Sequence, residues 1–148
     1  MKRRARAAHW VCLLAGLVGA ASLGGCGSDA VGADPSLQGG ILVTFAVGSE
    51  RFRVWIVNPA TIDDVFDLQT GASLANIPNA AIRTGAGDGA HNAPWSWHLD
   101  AQDVEMADAT IEVCDGSPSY VEEHLQDYLQ IGRYCPWGAR LVAVDDRR

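Results

Sequence analysis

Beyond residue 40 the chain alternates between apolar and polar positions in short runs. Ile41 to Val47 is apolar and β-prone. After Gly48-Ser49-Glu50, the run Arg51 to Val57 places Phe52, Val54 and Ile56 on one face of a strand and Arg51, Arg53 and Trp55 on the other. Two such runs around a short turn containing Gly predict a hairpin. The period then changes at Asn58-Pro59, where Asn can cap a helix and Pro suits its first turn. Ile62, Val65, Phe66 and Gln69 follow at helical spacing, with Leu68 widening the apolar side. Asp63 and Asp64 lie early, where the helix dipole favours anions, and Gly71 is placed to end the helix. The spacing predicts a helix over 60–70.

Residues 72–81 are weakly patterned, and Pro78 discourages regular structure there. Ile82-Arg83-Thr84 reads as a short strand. Gly85-Ala86-Gly87-Asp88-Gly89 reads as a flexible connection, and the absence of a following Gly-Lys-Ser/Thr excludes a phosphate loop. From Pro94 alternation resumes: Trp95, Trp97 and Leu99 share one face, Ser96, His98 and Asp100 the other. Val104 and Met106 alternate with Glu105, and Ile111 and Val113 with Glu112, which predicts three half-buried antiparallel strands with turns at Ala101-Gln102 and Ala107-Asp108. Ser117-Pro118 repeats the helix start, Val121, Leu125, Tyr128 and Leu129 form one stripe, and Gly132 ends it. Arg140 to Val144 is a final strand, with Asp145 to Arg148 expected to fray. The resulting fold class is α+β: a single small domain with an antiparallel sheet of about five or six strands, two helices and one disulfide.

The first 25 residues have a different character. Lys2, Arg3, Arg4 and Arg6 precede an uncharged apolar stretch from Trp10 to Leu23, the layout of a secretory signal and too short for a comfortable membrane span. Leu23-Gly24-Gly25-Cys26 resembles the lipobox of bacterial lipoproteins, which implies that Cys26 becomes an acylated N-terminus. Residues 1–25 are then a lipoprotein signal peptide, 26–40 a flexible tether of Gly, Ser, Ala and Asp, and 41–145 the domain. Gly27 rather than Asp follows the Cys, which by the same resemblance favours the outer membrane of a bacterial cell envelope.

Removing the leader changes the charge. Of eleven Lys and Arg, four lie before Cys26, while all eighteen Asp and Glu lie after it, so the mature chain is near −11 and has no lysine. Such a surface repels nucleic acid and anionic headgroups, so membrane attachment would come through the lipid anchor. Cys12 leaves with the leader and Cys26 takes lipid. Cys114 and Cys135 remain in a compartment that permits disulfides, the alternative being a pair of metal thiolates for which no CxxC spacing speaks.

Several separated motifs then occur in order: Asn92, Trp95-Ser96-Trp97-His98-Leu99-Asp100, Ile111-Glu112-Val113-Cys114-Asp115, Val121-Glu122-Glu123-His124-Leu125, and Cys135-Pro136-Trp137 followed by Arg140-Leu141-Val142. Together they resemble the "BP-seventy-four N-terminal domain" family of small secreted or lipoprotein domains. Ala101 stands where the family carries Pro, and Gly138-Ala139 where it carries Ser-Ser. The resemblance implies an α+β extracellular domain and brings no catalytic residues. Some bacterial members are labelled calmodulin, but an EF-hand needs oxygen ligands at fixed positions, Gly at six and Glu at twelve, and the chain has no such run.

Two groups of residues are candidates for chemistry. His98 and Asp100, joined by Asp115 and His124 if strand ends converge, suit a divalent metal (Ca or Zn) or acid–base work, or simply hold a turn. Trp95, Trp97 and Trp137 either fill a core around the disulfide or stack on a sugar or peptide, and Trp55, on the arginine face of its strand, is the aromatic expected to be partly exposed. There is no Gly-x-Ser-x-Gly and no His-Glu-x-x-His. The expected function is a lipid-anchored, non-catalytic binding or adhesion module for a protein, glycan or ion. The alternative is a metal-dependent hydrolase using His98 and nearby carboxylates. An inhibitor-like role would need an exposed rigid loop at 85–92.

Overall fold

The structure, a computed structural model, describes residues 36–148. The predicted signal peptide, the lipobox at Cys26 and most of the tether lie outside the described residues. The end of the tether is built into the domain: Leu37 is buried, Gly39 N–H donates to the Arg147 carbonyl, and Arg147 N–H donates to the Gly40 carbonyl. The same bonds hold down the C-terminus, so residues 145–148 are not frayed as expected.

The predicted hairpin forms from β1 (Ile41–Val47) and β2 (Glu50–Ile56), paired from Ile41↔Ile56 to Val47↔Glu50. Helix α1 (Pro59–Thr70) follows. The Asn58 side chain accepts from Ala60 N–H, and Gly71 closes the helix in the left-handed region at φ 80°. Strand β3 (Ile77–Thr84) corrects the irregular reading of 72–81. At residues 77–79 it pairs with β5 alone, so its other edge carries no ladder there and Pro78 breaks none. Short strands β4 (Trp97–Leu99) and β5 (Glu105–Ala107) come next. The predicted strand around Ile111 and Val113 is instead a single 3-10 turn at Glu112–Cys114, with Ile111 64% and Val113 61% exposed. A three-residue alternation is weak evidence of a strand, and here Cys135 N–H donating to the Cys114 carbonyl fixes the segment's direction.

The second predicted helix divides into α2 (Pro118–Glu123) and α3 (Leu125–Ile131), broken at His124, whose φ −117° and ψ 28° leave the helical region. Strands β6 (Arg133–Tyr134) and β7 (Ala139–Asp146) complete the chain. The strands form two antiparallel sheets rather than one: β2-β1-β7, and β4-β3-β5 with β6 also on β3.

One core joins them. Val43, Phe45, Phe52 and Val54 from the first sheet meet Ile82, Trp97, Leu99 and Tyr134 from the second, with Ile62 and Val65 of α1 and Tyr128 of α3 closing the ends. Phe52, Trp97 and Tyr134 pack ring to ring at 5.1 to 5.9 Å.

The predicted disulfide is present between Cys114 and Cys135, with Cα atoms 5.2 Å apart. Its loop spans a separation of 21 residues, for which lost loop entropy in the unfolded chain stabilises the fold by about 3 kcal/mol. Replacing both cysteines with Ser is therefore expected to lower the unfolding free energy by about that amount. Denaturant titration of the variant beside the oxidised wild type measures it, and superimposable curves would refute it.

Candidate functional site

The connection between β3 and β4, residues 85–96, is tightly bonded, contrary to its reading as a flexible linker. Gly85 N–H donates to the Ser96 carbonyl at 2.7 Å, closing the loop, and Asn92 N–H donates to the Ala86 carbonyl at 2.9 Å. Asn92, 1% exposed, accepts from Arg53 N–H through Oδ1 (2.7 Å) and donates from Nδ2 to the Trp97 carbonyl (2.8 Å). The Trp95 indole N–H donates to the Arg51 carbonyl at 2.8 Å. These bonds fasten the loop to the outer edge of β2 and to the start of β4.

This folding places two histidines side by side. His91 is 4% exposed and its Nδ1 lies 3.0 Å from the Asp88 carbonyl. A carbonyl only accepts, so Nδ1 carries the proton and Nε2 is left as a lone-pair atom. That Nε2 is buried and has no hydrogen-bond partner. The ring lies over Gly87, at φ 78°, where any Cβ would collide with it. His98, on β4, has the same arrangement: Nδ1 is 2.8 Å from the Gly85 carbonyl, which again fixes the proton on Nδ1. The two rings meet edge to face, centroids 5.9 Å apart.

Both rings line a cleft of about 270 Å³ together with Trp55, Arg83, Asp88 and Asp100. Asp100 accepts from Arg83 Nε (3.2 Å) and Nη2 (3.0 Å) and from Gln102 N–H (3.1 Å). His98 and Asp100, paired on sequence grounds, therefore do share a site. Trp55 shares it too, but as a buried wall: it is 5% exposed, because Leu37 and Leu42 pack against it on the face expected to be open.

Asp115 and His124 lie elsewhere. Asp115 Oδ1 accepts from the N–H groups of Gly116 and Trp137, both at 2.8 Å, beside the disulfide. His124 stacks on Tyr120 with centroids 4.0 Å apart, its Nδ1 2.9 Å from the Tyr120 carbonyl, at the break between α2 and α3. Among the described residues no three His, Cys, Asp or Glu are gathered closely enough to hold one metal ion. Of the tryptophans, Trp97 is fully buried, Trp95 packs at the core's edge and Trp137 is 41% exposed.

Sequence reasoning missed His91, Arg83 and Asp88. The available signal was the Gly-rich run ending in His91-Asn92, where glycine freedom serves close packing against a buried polar pair.

Burial holds the His91 pKa below its ordinary value, outweighing the Asp88 carbonyl that favours the charged ring. A lowered folded-state pKa means that the unfolded chain binds the proton more readily. His91 thus contributes stability that is complete above about pH 6.5, the unfolded value, and is lost as pH falls from there through the folded value. Unfolding midpoints of wild type and His91→Gln, compared across pH 8 to 4, should show a steeper acid decline in the wild type. Parallel curves would contradict it.

A small α+β domain of two antiparallel sheets, stapled once and carrying a polar cleft at one loop, is the class that the geometry defines. Residues 41–147 match the family described as the "BP-seventy-four N-terminal domain", and the chain belongs to that family. Neither curated proteins nor solved structures yield a match.

Proposed function

We propose that this chain is a lipid-anchored protein of the bacterial envelope whose domain is a non-catalytic binding module, with the cleft at 83–100 as its ligand site. The observation that carries this is the buried, unpartnered Nε2 of His91 in a cleft walled by Trp55. Buried polar atoms are almost always satisfied, and a ligand polar group entering here would satisfy this one. The lipobox at Cys26 and the acidic, lysine-free mature sequence support attachment by acyl chains. The hydrolase alternative retains His98 and Asp100 but neither Asp115 nor His124, and Asp100 is already engaged by Arg83. This favours binding over catalysis.

Capture from envelope extracts tests the reading. The full chain in detergent should retain a ligand, identified by mass spectrometry, and an Arg83→Ala/His98→Ala variant should retain at least tenfold less. Equal capture by both would remove the cleft as the site. A Cys26→Ser variant should lose incorporation of radiolabelled fatty acid and move to the soluble fraction, and unchanged labelling would remove the anchor.

A further inference from the structure

We infer that His91 and His98 form a two-nitrogen site for a divalent transition-metal ion of the zinc class, held at the mouth of the Gly85–Asn92 loop. The inference rests on the cleft being the binding site, and adds the chemistry of what enters it.

Three observations converge. First, each imidazole donates its Nδ1 proton to a backbone carbonyl of the same loop, Gly85 for His98 and Asp88 for His91. That is the outer-shell bond that fixes tautomer and ring direction in metal-ligating histidines, leaving Nε2 to coordinate. Second, His91 Nε2 is buried without a partner, although the loop places a glycine at position 87 to seat this ring. A neutral lone pair there needs a proton donor or a Lewis acid. Third, the ring centroids stand 5.9 Å apart. Two imidazoles on one tetrahedral ion, with Zn–N bonds of about 2.0–2.1 Å, place their centroids about 5 Å apart. Closing the difference takes a shift of about 1 Å, within reach of the partly exposed His98 ring.

The chemistry of the donors selects the ion. Neutral imidazole suits zinc, copper and nickel, whereas calcium takes oxygen ligands. Among the described residues no third side chain is placed to join the pair, so the remaining coordination positions fall to water or to donors of the cleft's ligand. The Asp88 carboxylate lines the same cleft and favours a cation there. A two-point site of this kind would let metal and ligand bind together, the ion supplying the contact that His91 lacks.

The test uses the full chain with His9→Gln and His124→Gln, which leaves His91 and His98 as the remaining two of its four histidines. Equilibrium dialysis with Zn²⁺ should give one ion per chain, and adding His98→Gln should weaken binding at least tenfold. Nitrogen NMR should show both Nε2 resonances moving on Zn²⁺ addition while both Nδ1 resonances stay. Ca²⁺ should produce neither effect. His98 is partly exposed, so its variant should fold even if a His91 variant does not, and thermal unfolding checks this. Zn²⁺ binding unchanged by His98→Gln, shifts on Nδ1 instead, or no binding up to millimolar Zn²⁺ would overturn the site. Ligand capture from envelope extracts that persists in chelator would then leave the binding function standing while the metal falls.

Discussion

Replacing Trp97 with Ala is expected to lower the unfolding free energy by about 3–5 kcal/mol, the range for deleting a buried large aromatic. Trp97 has no exposed surface and lies between the two sheets, 5.1 Å from the Tyr134 ring and 5.9 Å from that of Phe52. The cavity left by Ala would be lined by residues of both sheets, held apart by their own ladders, so collapse is limited. Trp97→Phe should cost much less than Trp97→Ala. The indole N–H of Trp97 is buried without a partner, so Phe removes an unsatisfied donor while keeping most of the ring contacts. Denaturant unfolding reads both as shifts of midpoint at constant slope. A loss under about 1 kcal/mol for the Ala variant would show that the sheets are not joined through this ring.

Trp97 also marks what sequence pattern can reach. Its place in the core follows from period-two alternation with Trp95 and Leu99, a signal carried by neighbouring residues. The hairpin of β1 and β2 and the capped helix α1 are legible for the same reason, since turn, cap and apolar stripe are local. The disulfide follows from counting cysteines. What pattern misses is decided by distant contacts. Strand β3 is hidden by Pro78, which is harmless only because one edge of the strand carries no ladder there. Ile111 and Val113 alternate like core residues but lie on a turn fixed by the backbone bond between Cys135 and Cys114. Trp55 reads as exposed beside two arginines, yet Leu37, from a segment resembling a linker, packs on it. The candidate site divides likewise. His98 and Asp100, two residues apart on one strand end, stay together, whereas their union with Asp115 and His124 requires a convergence that the topology does not provide. His91 goes unseen because the glycines around it suggest mobility, while its burial depends on bonds to β2, nearly forty residues away in sequence.

Those bonds make Asn92→Ala the second large expected effect, a loss of about 4 kcal/mol. The Asn92 side chain satisfies the Arg53 N–H on β2 and the Trp97 carbonyl on β4 at once, and each buried group stripped of its partner costs about 1–3 kcal/mol. No other residue ties the loop to both sheets in this way among the described hydrogen bonds. Its removal should also release His91 from the cleft, so any Zn²⁺ or envelope-ligand affinity should fall with stability, even in the fraction of molecules that remain folded. Asn92→Asp separates the two bonds. Its carboxylate can still accept from Arg53 N–H but faces the Trp97 carbonyl with an oxygen, so at neutral pH the variant should be at least as unstable as Ala. Protonation restores a donor, which raises the folded-state pKa of this Asp above its unfolded value. The penalty is then full above the folded pKa and shrinks as pH falls through it. Unfolding midpoints for Asn92→Asp that approach the wild type between pH 7 and pH 4, while those of Asn92→Ala do not, would confirm that Asn92 joins the sheets by donating as well as accepting. Parallel pH profiles for the two variants would show that the bond to Trp97 carries no weight, and that the loop is held by Trp95 and Arg51 instead.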